Sequence, residues 1–198
     1  MQINLHIYLN LAYAIYLDLD SNADVDITNN VIFDIDPGIK TIKLGGERIS
    51  LHNNIIDNRG NQRRGGKVAF WGGSHSIIWV PWMSDEIVWD RDMSFSNNVF
   101  WYDNPSDGDF IYFQNGSHMG DQAIYLSTAE ETLLASDYNL FYNPDIELSE
   151  YQIAAHTLSS WQTLEGKNFD ANSLFHVDPL FKDPEAEDYR FKGDSPAL

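Results

Sequence analysis

Apolar and polar residues alternate in short bursts along the chain, and the bursts recur. Val25-Asp26-Ile27-Thr28-Asn29-Asn30-Val31-Ile32-Phe33, Ile49-Ser50-Leu51-His52-Asn53-Asn54-Ile55-Ile56-Asp57 and Met93-Ser94-Phe95-Ser96-Asn97-Asn98-Val99-Phe100-Trp101 read apolar-polar-apolar-polar-Asn-Asn-apolar. A fourth segment, Leu134 to Tyr142, keeps only the second asparagine, as Asn139. A second series interleaves with these: Ala14 to Leu19, Lys40 to Gly45, Lys67 to Trp71 and Phe110 to Gln114. Each alternates with period two, which predicts a strand with one buried face.

The intervals predict the architecture. Val25 to Ile49 is 24 residues, Ile15 to Ile42 is 27 and Ile42 to Val68 is 26. A period in the twenties built of short strands predicts an all-β solenoid, each coil stacking on the last around a continuous core. Later intervals exceed 40 residues, as from Ile49 to Met93, so insertions are expected near 72–92 and 116–132. The Asn pairs have a reason at tight corners. Asparagine tolerates a left-handed backbone, and amides from successive coils can hydrogen-bond as a ladder. Leucine-rich repeats would show Leu-x-x-Leu-x-Leu and helical arcs, and a β-sandwich would not repeat an Asn-Asn corner.

Coils are therefore expected over 1–145, with a capping segment of the same domain over 146–198. There the period-two pattern stops: Ser159 or Ser160 is expected to cap a short helix carrying Trp161 and Leu164. Asp178-Pro179, Asp183-Pro184 and Ser195-Pro196 then punctuate an irregular close.

Charge and composition narrow the partners. A net charge of −18 repels phosphate backbones, so no nucleic-acid partner is expected. The absence of cysteine excludes disulfides, Cys–Zn sites and thiol catalysis. No run of apolar residues is long enough for a membrane span. The apolar start of the chain lacks a basic region and a cleavage site, and reads as strand rather than signal peptide.

At VDITNNVIF, ISLHNNIID and MSFSNNVFW the chain resembles the right-handed parallel β-helix repeat proteins of the pectate-lyase-like superfamily. Its tail is similar to theirs in order: SDYNLFYNPD (136–145), a Trp161 helix, DPLFKDP (178–184), DYRF (188–191) and DSPAL (194–198). The resemblance implies a right-handed parallel β-helix, secreted or periplasmic, acting on polysaccharide as a glycoside hydrolase or polysaccharide lyase. Relatives open with a cap and further coils, so a C-terminal fragment is expected. A non-catalytic glycan-binding or adhesion solenoid, or an inactive fragment, stays open beside it.

Three surfaces carry candidate chemistry. If Ile15, Leu17 and Leu19 face inward, then Tyr16, Asp18 and Asp20 face out, with Lys43 on the next coil and Lys67 and Trp71 on the one after. Acid/base groups beside a stacking ring suit glycan cleavage, although alternation alone also puts polar residues on a solvated face. Seven of the 12 basic residues fall within 40–67, among them Arg48, Arg63 and Arg64, opposed there by Glu47 and Asp57. They suit uronate or sulfate groups, or else balance the acidic residues nearby. The 71–92 insertion holds Trp71, Trp79, Trp82 and Trp89 with His75, either as a cleft wall or as packing against the coil.

For hydrolysis the candidate carboxylates are Asp18, Asp20 and Glu47; for β-elimination the candidate bases and charge neutralisers are Lys43, Arg63, Arg64 and Lys67. Substrate contacts are assigned to Tyr16, Arg48, Arg63, Arg64, Trp71, His75, Trp79 and Trp82. No cofactor is required. Calcium is an option at Asp18/Asp20 or Asp24/Asp26, while the six histidines show no metal-ligand spacing.

Overall fold

A computed structural model describes residues 15–17, 24–33, 42–44, 48–57, 59, 78–80, 92–102, 111–113, 133–153 and 156–198. Short strands dominate it, and three parallel sheets organise them. The first sheet runs β1 (Ile15–Leu17), β4 (Ile42–Leu44), β7 (Ile78–Val80) and β10 (Ile111–Phe113). The second runs β2 (Val25–Thr28), β5 (Ile49–His52), β8 (Met93–Ser96) and β11 (Leu133–Asp137). The third runs β3 (Val31–Ile32), β6 (Ile55–Asp57), β9 (Val99–Trp101), β12 (Leu140–Tyr142) and the short strand Leu174–Phe175. From β1 to β12 the chain visits the sheets in a fixed order and returns to each beside the strand it laid there before. The result is all-β, parallel and sparing of helix, a pattern compatible with a solenoid.

The Asn-Asn corner explains how strands this short turn from the second sheet into the third. Its first residue is left-handed: Asn29, Asn53 and Asn97 have φ of 58°, 57° and 55°. Its second residue faces inward and builds the ladder. Asn30 Nδ2 donates to Asn54 Oδ1 at 2.9 Å, Asn54 Nδ2 to Asn98 Oδ1 at 3.0 Å, and Asn98 Nδ2 to Asn139 Oδ1 at 3.1 Å. The same oxygens accept from the backbone N–H of the preceding asparagine at 3.0–3.1 Å. Buried amides are tolerated because every donor and acceptor in the row is engaged.

The ladder ends on a carboxylate. Asn139 Nδ2 donates to Asp170 Oδ1 at 2.9 Å, and Asp170 is fully buried. Ser136 Oγ (2.7 Å), Trp161 Nε1 (2.8 Å) and Ser173 Oγ (2.5 Å) also donate to it. Four donors offset the cost of desolvating the group, and they tie the closing segment to the last coil.

Inside the sheets the core is aliphatic at one end and aromatic at the other. Ile32, Ile56, Phe100 and Phe141 are in register along the third sheet, with Phe175 next. Phe100 stacks on Phe141 at 5.0 Å and Phe141 on Phe175 at 5.2 Å. Tyr151, Trp161 and Phe169, all buried, close that end.

The third sheet is buried on both faces. Val31, Ile55, Val99 and Leu140 point away from the main core into a second cluster with Phe33, Trp101, Phe181 and Tyr189. The cover is an antiparallel hairpin of strands Phe181–Asp183 and Asp188–Phe191, joined through a 3-10 turn at Pro184–Ala186. A strand covered on both sides reads as a continuous apolar run, which is why VIF, VFW and LFY lose the alternation seen in the second sheet. A latch pins the hairpin. Arg59 grips the buried Asp57 at 2.7–3.1 Å, reaches Glu185 at 2.9 Å and lies 3.7 Å over the Trp101 ring. Tyr189 donates to Asp57 at 2.8 Å.

Several expectations are corrected. The strand paired with Ile42–Leu44 is Ile78–Val80, inside the span expected as an insertion, and not Lys67–Trp71, which lies outside the described residues. Leu133, not Leu134, is the register partner of Met93. A bulge follows, and Leu134 stands 60% exposed. The short helix, Leu158–Gln162, is capped by Thr157 rather than by a serine, and the expected irregular close contains the ordered hairpin. Leu164 falls in the 3-10 turn that follows that helix.

Candidate functional site

Three of the candidate residues occupy one register line of the first sheet. Tyr16 pairs with Lys43, Lys43 with Trp79, and Trp79 with Tyr112. Neighbouring strands lie about 4.8 Å apart, so the line puts aromatic, ammonium and aromatic residues on successive strands. Ile15, Leu17, Ile42 and Leu44, which flank Tyr16 and Lys43 in sequence, are buried. The backbone fixes these positions; the side chains of Tyr16, Lys43 and Trp79 lie outside the described part of the structure. Asp18, Asp20, Glu47, Arg63, Arg64, Lys67, Trp71, His75 and Trp82 also lie outside the described residues.

Arg48 is described. It sits with φ of 45° just before β5, and its guanidinium meets Asp24, just before β2, at 2.7 and 3.3 Å. Hydrogen bonding and charge from Arg48 hold the Asp24 carboxyl below its usual range. Both groups are substantially exposed, so the pair contributes little to stability. Here a basic residue of the 40–67 cluster answers an acidic neighbour one strand away. Arg59 does the same in the latch, where Asp57 and Glu185 outweigh burial and hold the guanidinium firmly protonated.

The second sheet presents a polar face. Thr28, His52, Ser96 and Asp137 form one register line, and Asp26, Ser50 and Ser94 another. Ser50 and Ser94 hydroxyls are 3.1 Å apart, and Thr28 Oγ1 is 3.2 Å from His52 Nδ1. Asn53 Nδ2 also lies 3.2 Å from that nitrogen.

This face turns the corner into a groove of about 480 Å³. Asn53, Asn97 and Tyr138, all exposed, form one edge, and Phe191, Ala197 and Leu198 line it from the closing segment. Tyr138 is the residue sequence reasoning missed. It occupies the left-handed corner position, φ 57°, that asparagine fills at the three earlier corners, and it is 62% exposed. The signal was present: the fourth segment departs from Asn-Asn at this position alone. Asn172 extends the edge, held by Asp137, whose carboxylate accepts from its backbone N–H at 2.8 Å and from its Nδ2 at 2.7 Å.

Among the described residues, no group of three or more His, Asp or Glu side chains is arranged to hold a metal ion. No helix there is long and apolar enough to cross a membrane. No protein-family model, curated protein or solved structure matches the chain.

Proposed function

We propose that this chain is a right-handed parallel β-helix of the pectate-lyase-like kind, acting on an extracellular polysaccharide. Right-handedness is the reading that strand chirality favours, since parallel crossovers in one sheet are right-handed in about 98% of cases. The observation that carries the functional reading is the register line Tyr16–Lys43–Trp79. Two aromatic residues on the strands flanking a lysine suit a chain of sugar rings: aromatic rings stack on C–H faces, and an ammonium meets a hydroxyl, a carboxylate or a developing negative charge. Both hydrolysis and β-elimination fit such a line, the first needing a carboxylate pair and the second a base beside a neutralised uronate.

The corner groove favours a second reading, a non-catalytic glycan-binding solenoid. Its lining side chains are amides, a phenol, a phenyl ring and aliphatic groups, which bind sugars without cleaving them.

One assay separates these. Purified chain is incubated with a panel of plant, algal and bacterial polysaccharides, while reducing ends and unsaturated-uronate absorbance are followed. A hydrolase raises the first alone and a lyase raises both, and Lys43→Ala or Trp79→Ala removes the signal. Binding without either signal moves the protein to the second reading. Neither binding nor cleavage on any polysaccharide overturns both.

A further inference from the structure

We propose that the corner groove is a carbohydrate site of its own, separate from the first sheet, that takes an uncharged oligosaccharide with one sugar ring stacked on Tyr138. Three observations converge. The groove is lined without a single acidic or basic side chain, in a chain of net charge −18. Amides and sugar hydroxyl groups satisfy one another, and Tyr138 and Leu174 offer exposed apolar surface to C–H faces. The edge residues Asn53, Asn97 and Tyr138 repeat at one strand spacing, about 4.8 Å, comparable to the length of one pyranose unit along a glycan.

The third observation is the placement of Tyr138. Asn29, Asn53 and Asn97 fill the same left-handed position with a residue suited to it. Tyrosine is not, and most of its surface is open to solvent. The ring stands exposed at the edge of the groove, where a ligand can reach it. Asn172, fixed by Asp137 on its far side, presents a preorganised amide beside it.

This inference rests on the second reading above, the groove as a glycan-binding site, and names its ligand; its test keeps it apart from the reading on the first sheet. Neutral gluco-, manno-, xylo- and galacto-oligosaccharides, with uronate oligosaccharides as the charged comparison, are titrated calorimetrically into wild type, Tyr138→Asn, Tyr138→Phe and Trp79→Ala. At least one neutral oligosaccharide is expected to bind wild type, Tyr138→Phe and Trp79→Ala alike. Tyr138→Asn should bind about tenfold more weakly, the worth of one ring stack, while its melting temperature rises. If no neutral oligosaccharide binds, or Tyr138→Asn binds as well as wild type, the proposal is overturned. Loss of binding in Trp79→Ala would place the sugar on the first sheet and overturn it too.

Discussion

Asn54 and Asn98 stand 44 positions apart in the chain, yet the amide of one donates to the amide of the other at 3.0 Å, both buried. Asn98 Nδ2 in turn donates to the Leu51 carbonyl at 2.8 Å, and its Oδ1 also accepts from the Asn54 backbone at 3.1 Å. A side chain so fully used cannot be trimmed without orphaning its neighbours.

Asn98→Ala is therefore expected to cost about 3–5 kcal/mol, the sum of several buried groups left unpaired. The adjacent Asn97 is exposed and contributes mainly its tolerance of φ 55°, so Asn97→Ala should cost only about 1 kcal/mol. Urea unfolding of the two variants checks the contrast. Equal losses would show that the inward row has no special role.

The latch on the hairpin makes a second contrast. Asp57 is 4% exposed, and Arg59→Ala leaves it Tyr189 as its remaining side-chain donor among the described residues. Stranding a buried carboxylate costs about 3 kcal/mol. Glu185→Gln removes a mostly exposed partner and should cost under about 1 kcal/mol. Thermal unfolding reads both, and limited proteolysis of Arg59→Ala should cleave first within 181–198. Wild-type resistance of that segment would mean the latch does not hold it.

How much of this was legible in sequence follows from what each signal depends on. The Asn-Asn corners report local backbone geometry, so a left-handed turn and an amide ladder can be read from VDITNNVIF and its partners, while the structure decides which asparagine takes which role. Lys67–Trp71 alternates as well as Ile78–Val80 does, and periodicity cannot say which one pairs with Ile42; the register decides that. The hairpin over the third sheet joins Asp57 to Tyr189 across 132 positions. No local pattern encodes such a contact, although the unbroken apolar triplets hinted at a second covered face. Of the candidate site, Tyr16 beside Lys43 was foreseen from the 27-residue interval, whereas Trp79 was foreseen as a member but not in that line, where Lys67 and Trp71 were expected. Tyr138 was visible only as a break in a pattern.

Buried phenols predict the alkaline limit of stability. Burial pushes the Tyr151 hydroxyl up to about 12, with Asn143 bonding partly opposing it, and burial and Asp57 push Tyr189 up as well. Unfolded tyrosine ionises near pH 10. These phenols therefore leave stability intact below about pH 10 and withdraw it as pH rises toward 12, where only the unfolded chain gains by ionising. Unfolding free energies at pH 9, 10.5 and 12 should fall by roughly 2–3 kcal/mol from Tyr151, less steeply in Tyr151→Phe. A flat profile, or all tyrosines titrating near pH 10 in the folded protein, would contradict the burial described here.

Every surface discussed above exists only because distant segments lie strand beside strand, and the chain's lack of cysteine allows a clean test of that. Ser50 and Ser94 are register partners in β5 and β8 with hydroxyl oxygens 3.1 Å apart. Adjacent parallel strands hold Cα atoms about 4.8 Å apart, within the roughly 4.4–6.8 Å that a disulfide spans. The measurement is a non-reducing peptide map of the Ser50→Cys/Ser94→Cys double variant after mild oxidation at low protein concentration. Stacked strands predict a monomer with positions 50 and 94 linked; free thiols, or links only between separate chains, would contradict the account.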